Sequence, residues 1–427
     1  MLVEKFVGYV VRKKNEQYLR FDPNAPCELP DMKENSKPLM LYLHIPFCEE
    51  LCTYCSFHRV AFREDVARPY FEALRKEILM YKDRGYTFSA LTIGGGTPTV
   101  LMDELVKTIE LVKECFDLNE ITVETNPNHL GADNILKLKE AGVNRLSVGV
   151  QSFNDDILKA TERYHKYGSG QEVINRLREI QGEFQTLNVD MIFNFPIQTA
   201  ESLKKDLEIL NELEIDQITY YPLMVSSSTQ KIVEKKLGVV DDVRGRSFYE
   251  IIKEALSDRY DTSTAWCFSK RKAEIKEIDE YVINYDEYAG LGSGALGYLD
   301  GMVYANTFDI HDYIRRVNQG EIPITARRDC DLKAKLLYDF LMQFFGLSLN
   351  LDELSEKHGV NAKLRLMPEI LFFMMVGGIK RDSKTTSTLI TKDQYYWVIM
   401  MREFFTSVNN FRDYCRATSN QALSQQA

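Results

Sequence analysis

The stretch Leu41-Tyr42-Leu43-His44-Ile45-Pro46-Phe47-Cys48-Glu49-Glu50-Leu51-Cys52-Thr53-Tyr54-Cys55 runs an apolar, strand-like segment directly into three cysteines spaced C-x3-C-x2-C. A cubane iron–sulfur cluster is saturated only by four thiolates. Three at this spacing leave one iron open to a small molecule, which points to chemistry rather than electron carriage. The competing reading is a zinc knuckle. It needs a fourth Cys or His at matching spacing, and His58 is available.

Outward from this loop the pattern alternates. Residues 39–44, 90–93, 121–124, 145–150, 186–193 and 217–221 read as strands, and segments such as 64–84, 102–115, 132–141 and 200–213 carry helical periodicity between them. Six strands alternating with helices through short connections predict an α/β fold, a partial (β/α)6 TIM-like barrel with functional residues at the C-terminal strand ends. Around it the expected organisation is an extended lead-in over 1–37, broken by Pro23, Pro26 and Pro30. The barrel then occupies 38–230, a barrel extension with a glycine-rich segment 231–325, and a helical, winged-helix-like C-terminal domain 326–427.

Composition narrows the class. A chain of 427 residues, 44% hydrophobic, can bury one large core and a smaller one. A formal charge of −10 with dispersed basic residues argues against a nucleic-acid partner. Five of the eight cysteines (Cys27, Cys115, Cys267, Cys330, Cys415) are scattered and suit a reducing cytoplasm. The start lacks the basic, apolar and small-residue succession of a signal peptide, and the longest apolar run, residues 370–379, is too short to span a bilayer. The expectation is a soluble cytoplasmic protein with at most peripheral contact to the inner membrane.

The motif Tyr42-x-His44-Ile-Pro-Phe-Cys48-x3-Cys52-x-Tyr54-Cys55-x-Phe57 resembles the radical S-adenosylmethionine (SAM) superfamily, and within it the branch of the oxygen-independent coproporphyrinogen III oxidases. The resemblance implies a [4Fe-4S] cluster on Cys48, Cys52 and Cys55 whose open iron chelates SAM, and an electron donor such as flavodoxin or ferredoxin. Gly94-Gly95-Gly96-Thr97-Pro98 lies between a strand and a helix, where glycines allow close backbone approach and free amides can hold a carboxylate. It resembles the family's SAM-binding glycine motif. Glu124 ends the third strand, where a carboxylate can take a ribose hydroxyl pair or an ammonium. By resemblance, Tyr42, Gly95, Glu124 and Leu296 would line a first SAM site. Tyr54, Gly96, Thr97, Gln151, Arg163, Asp190 and Met224 would line a second.

Departures from the family pattern steer the functional expectation. Where the porphyrin oxidases carry a further cysteine, this chain has Phe57, and the usual Tyr-Gly-Leu-Pro-x-Gln-Thr appears as Phe193-Asn194-Phe195-Pro196-Ile197-Gln198-Thr199. Two-SAM residues are retained, and the segment Trp266-Cys-Phe-Ser and the aromatic tail, residues 395–405, resemble the class C radical SAM methyltransferases that modify menaquinone. The expected function is therefore a class C radical SAM methyltransferase using two SAM molecules. It would methylate an sp2 carbon of an aromatic apolar substrate, C8 of the naphthoquinone ring. Its tail helix is a candidate for docking at a membrane. The alternatives are a coproporphyrinogen III dehydrogenase, a haem-degrading radical SAM methylase, and a non-enzymatic haem-trafficking chaperone; both quinone and tetrapyrrole remain as partners. No catalytic residue is assigned. His58 and Tyr54 are nearest the cluster in sequence.

Overall fold

The computed structural model describes residues 2–19, 21, 28–32, 38–271, 285 and 287–426. Six strands carry the architecture: β1 (Leu39–Ile45), β2 (Phe88–Gly95), β3 (Glu120–Thr125), β4 (Arg145–Gln151), β5 (Thr186–Phe193) and β6 (Gln217–Pro222). They pair in parallel and in sequence order. Their nearly continuous burial is that of strands covered on both faces. Helices such as Glu64–Asp83 and Ala200–Leu213 turn an apolar stripe onto the sheet, burying Tyr70, Phe71, Leu74 and Ile78 in the first and Leu203, Leu207 and Leu210 in the second.

The sheet does not stop at residue 230. β7 (Tyr260–Thr262) and β8 (Cys267–Lys270) extend it antiparallel beyond β6. On the other side β9 (Tyr288–Leu291) joins β1 in parallel, followed by antiparallel β10 (Leu296–Leu299), β11 (Met302–Asn306) and β12 (Ile324–Asp329). The result is one twelve-stranded sheet in the order β12-β11-β10-β9-β1-β2-β3-β4-β5-β6-β8-β7. The expected (β/α)6 partial barrel is its central part.

The C-terminal region has helices Leu332–Phe345, Leu351–His358, Ala362–Arg365 and Met367–Met375. A small antiparallel sheet of Ser348–Asn350, Thr388–Thr391 and Ile379–Arg381 packs with them in a winged-helix-like arrangement. A long helix, Tyr395–Gln426, leaves it and returns across the barrel mouth. Its aromatic segment is largely internal: Tyr395, Trp397, Ile399 and Met401 are buried, with the Trp397 ring stacked 4.6 Å from Phe344. These buried side chains are not available as the exposed face that the expected docking role would need.

The start of the chain also differs from expectation. Residues read as an extended lead-in form helix Leu2–Tyr18, which lies against the C-terminal helix. Gly8 faces the Glu403 side chain there, and Arg12 pairs with Glu403 at 3.1 Å. The prolines invoked for an extended chain all follow this helix. Residues 20, 22–27 and 33–37, including Pro23, Pro26 and Cys27, lie outside the described residues. Among the described residues no helix is long and apolar enough to cross a membrane.

Candidate functional site: a cysteine loop over the barrel mouth

β1 ends at Ile45, and Phe47–Cys48 pairs in parallel with Val60–Ala61, so the segment between them closes into a loop over the C-terminal end of the barrel. Arg59 pins that loop from inside, donating to the carbonyls of Cys52 (2.6 Å) and Cys55 (2.7 Å). Cys48 and Cys52 are buried and Cys55 is half-buried. Burial pushes the Cys48 thiol up to about 12, with Cys55 adding to the shift and a hydrogen bond from Thr97 Oγ1 (3.7 Å) opposing it. Losing that proton requires a cation in contact with sulfur, which is what iron supplies.

Arg163 is the loop's cationic support. Its guanidinium is fully buried, donates to Cys52 Sγ (3.4 Å), Asn126 Oδ1 (3.0 Å) and the Gly149 carbonyl, and lies 4.2 Å from the Tyr167 ring centroid. Its Nε has no hydrogen-bond partner. A buried cation aimed at a cysteine, with a donor still unmet, suits a polyanionic thiolate cluster. His58 is not among the residues lining the cavity that the cysteines face. Its Nε2 bonds Ser293 Oγ at 3.2 Å, its ring meets Phe308 edge-on, and burial lowers its basicity.

Beside the loop, Gly96 N–H donates to the Ile45 carbonyl (2.7 Å) and Thr97 N–H to the Phe47 carbonyl (2.8 Å), stitching the Gly94–Gly96 turn to the end of β1. Gly95 has φ +115°, and its amide donates to Glu124 (3.1 Å). His44 Nε2 lies 2.8 Å from the His58 carbonyl, so Nε2 carries the proton and Nδ1 accepts from the Tyr42 hydroxyl at 3.0 Å. Burial holds His44 near 4, which keeps it neutral and preserves this relay. Asp190 accepts from Ser147 and Asn188, both at 2.8 Å, and burial raises its carboxyl.

One cavity of about 670 Å³ gathers these groups. Cys48, Cys52 and Cys55 line it, as do Tyr42, Tyr54, Gly95, Gly96, Glu124, Gln151, Arg163, Asp190, Met224 and Leu296. Thr97 stands behind the wall, held by Cys48 and by Asn126 Nδ2 at 2.9 Å. The cavity then continues between the two terminal helices, where Val7, Val11, Phe372, Phe404, Phe405 and Val408 make an apolar chamber. Of this half the sequence pointed only to the aromatic and methionine-rich tail as a wall for a flat apolar ligand; the facing helix was missed because it lies about 400 residues away in the chain. Also missed were Arg59 and Asn126, whose roles depend on backbone carbonyls and on a neighbouring strand.

One departure acquires a physical reason. Asn194 replaces the family glycine at a left-handed position, φ 71°, where Asn is the best-tolerated side chain. Arg244 locks the loop by donating to Asn194 Oδ1 (3.1 Å), Phe195 O (2.7 Å) and Gln198 O (2.9 Å). The altered fifth loop thus keeps the left-handed step that glycine would supply. Trp266 and Cys267, read as a mark of quinone methylation, are fully buried, with Trp266 against Phe345 and Phe405.

Gln151 sits at a bulge with φ 74°, immediately before Ser152, whose hydroxyl donates to Asp206 (2.7 Å). The Phe153 amide donates to the other Asp206 oxygen (2.9 Å). Burial pushes Asp206 up to about 7 from its ordinary 3.8. The folded state therefore holds this proton more tightly than the unfolded chain does, so its contribution is greatest below 3.8 and is lost as pH rises to about 7. Asp206→Asn keeps the bond from the Phe153 amide on its oxygen, reverses the other so that Nδ2 donates to the Ser152 hydroxyl, and abolishes the titration. Its denaturation midpoint should rise relative to the parent between pH 4 and pH 7 and level off above. Parallel pH profiles for the two proteins would refute this.

The model of the radical SAM superfamily matches residues 42–210. Heme chaperone HemW of Bacillus subtilis (strain 168) is 30% identical over 362 residues, covering 81% of this chain and 93% of the relative. The oxygen-independent coproporphyrinogen III oxidase of Helicobacter pylori is 26% identical over 369 residues, 80% and 79% of the two chains. The solved structure of the Escherichia coli coproporphyrinogen III oxidase HemN superposes with a TM-score of 0.69 at 20% identity, covering 92% of each chain. This chain belongs to the radical SAM superfamily, in its coproporphyrinogen oxidase-like branch. The family implies a [4Fe-4S] cluster and SAM; the three cysteines beside the buried Arg163 suit the cluster, while the amides of Gly95, Gly96 and Thr97, expected to be free for a carboxylate, are engaged within the fold. The expected menaquinone methyltransferase, and with it the expectation of an enzyme, is overturned by the similarity over most of the chain to heme chaperones.

Proposed function

We propose that this protein is a haem-binding chaperone built on a radical SAM scaffold. The observation that carries the reading is the continuity of one cavity from the cysteine loop into an apolar chamber between the terminal helices. A flat macrocycle needs such walls, and methionine and aromatic side chains provide adaptable ones. The similarity to HemW over 81% of the chain supports the same conclusion. In this reading Cys48, Cys52 and Cys55 hold the cluster, with Arg163 and Thr97 supporting its sulfurs. Tyr42, Gly95, Glu124 and Leu296 hold SAM at the open iron. Tyr54, Gly96, Gln151, Asp190 and Met224 form the wall where SAM and macrocycle meet. Thr97 and Arg163 are engaged with the cysteines, so we assign one SAM rather than two.

Anaerobic haem titration of the reconstituted protein tests this. A saturable Soret band at one haem per chain is expected, with SAM left uncleaved. Absence of saturable haem binding, or SAM-dependent turnover of haem or coproporphyrinogen, would reverse the conclusion.

A further inference from the structure

The cavity face of the C-terminal helix follows a helical stripe: Met401, Phe405 and Val408, then Arg412 four residues on. The stripe is apolar along the chamber and ends in a cation where the chamber meets the cysteine loop. There the Arg412 guanidinium lies 4.9 Å from the Phe57 ring centroid, and its Nη1 donates to Asn409 at 2.7 Å. Burial raises the Tyr42 and Tyr288 hydroxyls, and Arg412 is close enough to both to pull them back. Four further cations line the cavity, none of them on this stripe. Arg59 and Arg163 hold the cysteine loop, Arg145 donates to Gln217 Oε1 across the barrel interior, and Lys14 lies 3.7 Å from Glu369 at the rim.

An apolar slot ending in a guanidinium matches a flat ligand that is apolar over its faces and anionic at one edge. Haem, with carboxylates on one side of its macrocycle, has that distribution. We infer that the chamber seats the macrocycle against the Met401–Val408 face and that Arg412 binds a haem carboxylate, orienting the ring toward the cysteine loop. This assignment rests on the haem-binding reading above and names the group that sets the ligand's orientation.

The test compares haem with its dimethyl ester by anaerobic absorbance titration of the full-length, cluster-reconstituted protein. The parent should bind haem roughly ten- to a hundredfold tighter than the ester, the worth of one charged hydrogen bond. Arg412→Gln should bring that ratio close to one by weakening haem alone. Val408→Trp, which fills the chamber, should weaken both ligands together while iron content is unchanged. A parent with no preference for the acid overturns the assignment without any variant. So does an Arg412→Gln protein that keeps the preference, or a Val408→Trp protein that binds both ligands normally. If the parent fails to bind haem saturably, the functional reading itself falls.

Discussion

Arg163→Met is expected to strip most of the iron and sulfide from the reconstituted protein and to lower its thermal midpoint by many degrees. The guanidinium joins three elements at once: the cysteine loop through Cys52, the end of β3 through Asn126, and the bulge of β4 through Gly149. Methionine fills much of the volume but leaves the Gly149 carbonyl and Asn126 Oδ1 buried without this donor. Each such loss costs about 1–3 kcal/mol, so the sum is a large share of the roughly 5–15 kcal/mol that holds a domain folded. It also removes the positive charge facing Cys52, so the negative charge of a bound cluster would no longer be balanced there. Arg163→Lys should recover part of the stability and little of the cluster, because an ammonium cannot fork toward a sulfur, an amide and a carbonyl at once. The checks are iron and sulfide per chain and the unfolding midpoint of the apoprotein. Full cluster content in Arg163→Met would show that the cysteine loop needs no cationic support.

How far the sequence could be read follows from the range of the interactions. The six strands of the central sheet announce themselves through short apolar runs followed by helical periodicity, and each is a local pattern. The cysteines, Gly94–Gly96 and Glu124 were visible for the same reason, since each lies at a strand end. The helix Leu2–Tyr18 is masked in the sequence by the three prolines that follow it. Its partners come from distant parts of the chain, the C-terminal helix and Phe372 among them. The tail was readable as apolar and aromatic, but its division into core and cavity wall was not. Trp397 and Phe404 are seven residues apart, yet one is core and the other lines the chamber. Function was misread for a related reason. Trp266 and its neighbours were matched as a motif, whereas they are buried packing around Phe345.

The glycine turn yields the sharpest expectation at the proposed SAM site. In Gly96→Ala the new Cβ would lie 2.6 Å from the Phe47 carbonyl oxygen and 2.9 Å from that of Ile45. Both are backbone atoms, and both peptide segments are already tied to this turn by hydrogen bonds from Gly96 and Thr97. No rotamer change relieves the contact, so the turn must separate from the end of β1. That movement takes Thr97 away from Cys48 and Asn126, and it moves the Gly95 amide off Glu124. SAM affinity should fall by at least a hundredfold, with a smaller loss of cluster, because the cysteines themselves are untouched. Gly131→Ala provides the control. That glycine caps the helix Ala132–Glu140 at φ −68°, and no atom lies within 4 Å of its added Cβ. It should fold at least as stably as the parent and bind SAM unchanged. Anaerobic calorimetric titration of SAM into the three proteins separates the outcomes. If Gly96→Ala retains parental affinity, the turn is only a strand-to-helix connection and SAM is held elsewhere in the cavity; if it loses affinity while Gly131→Ala does not, the backbone of this turn is part of the binding surface.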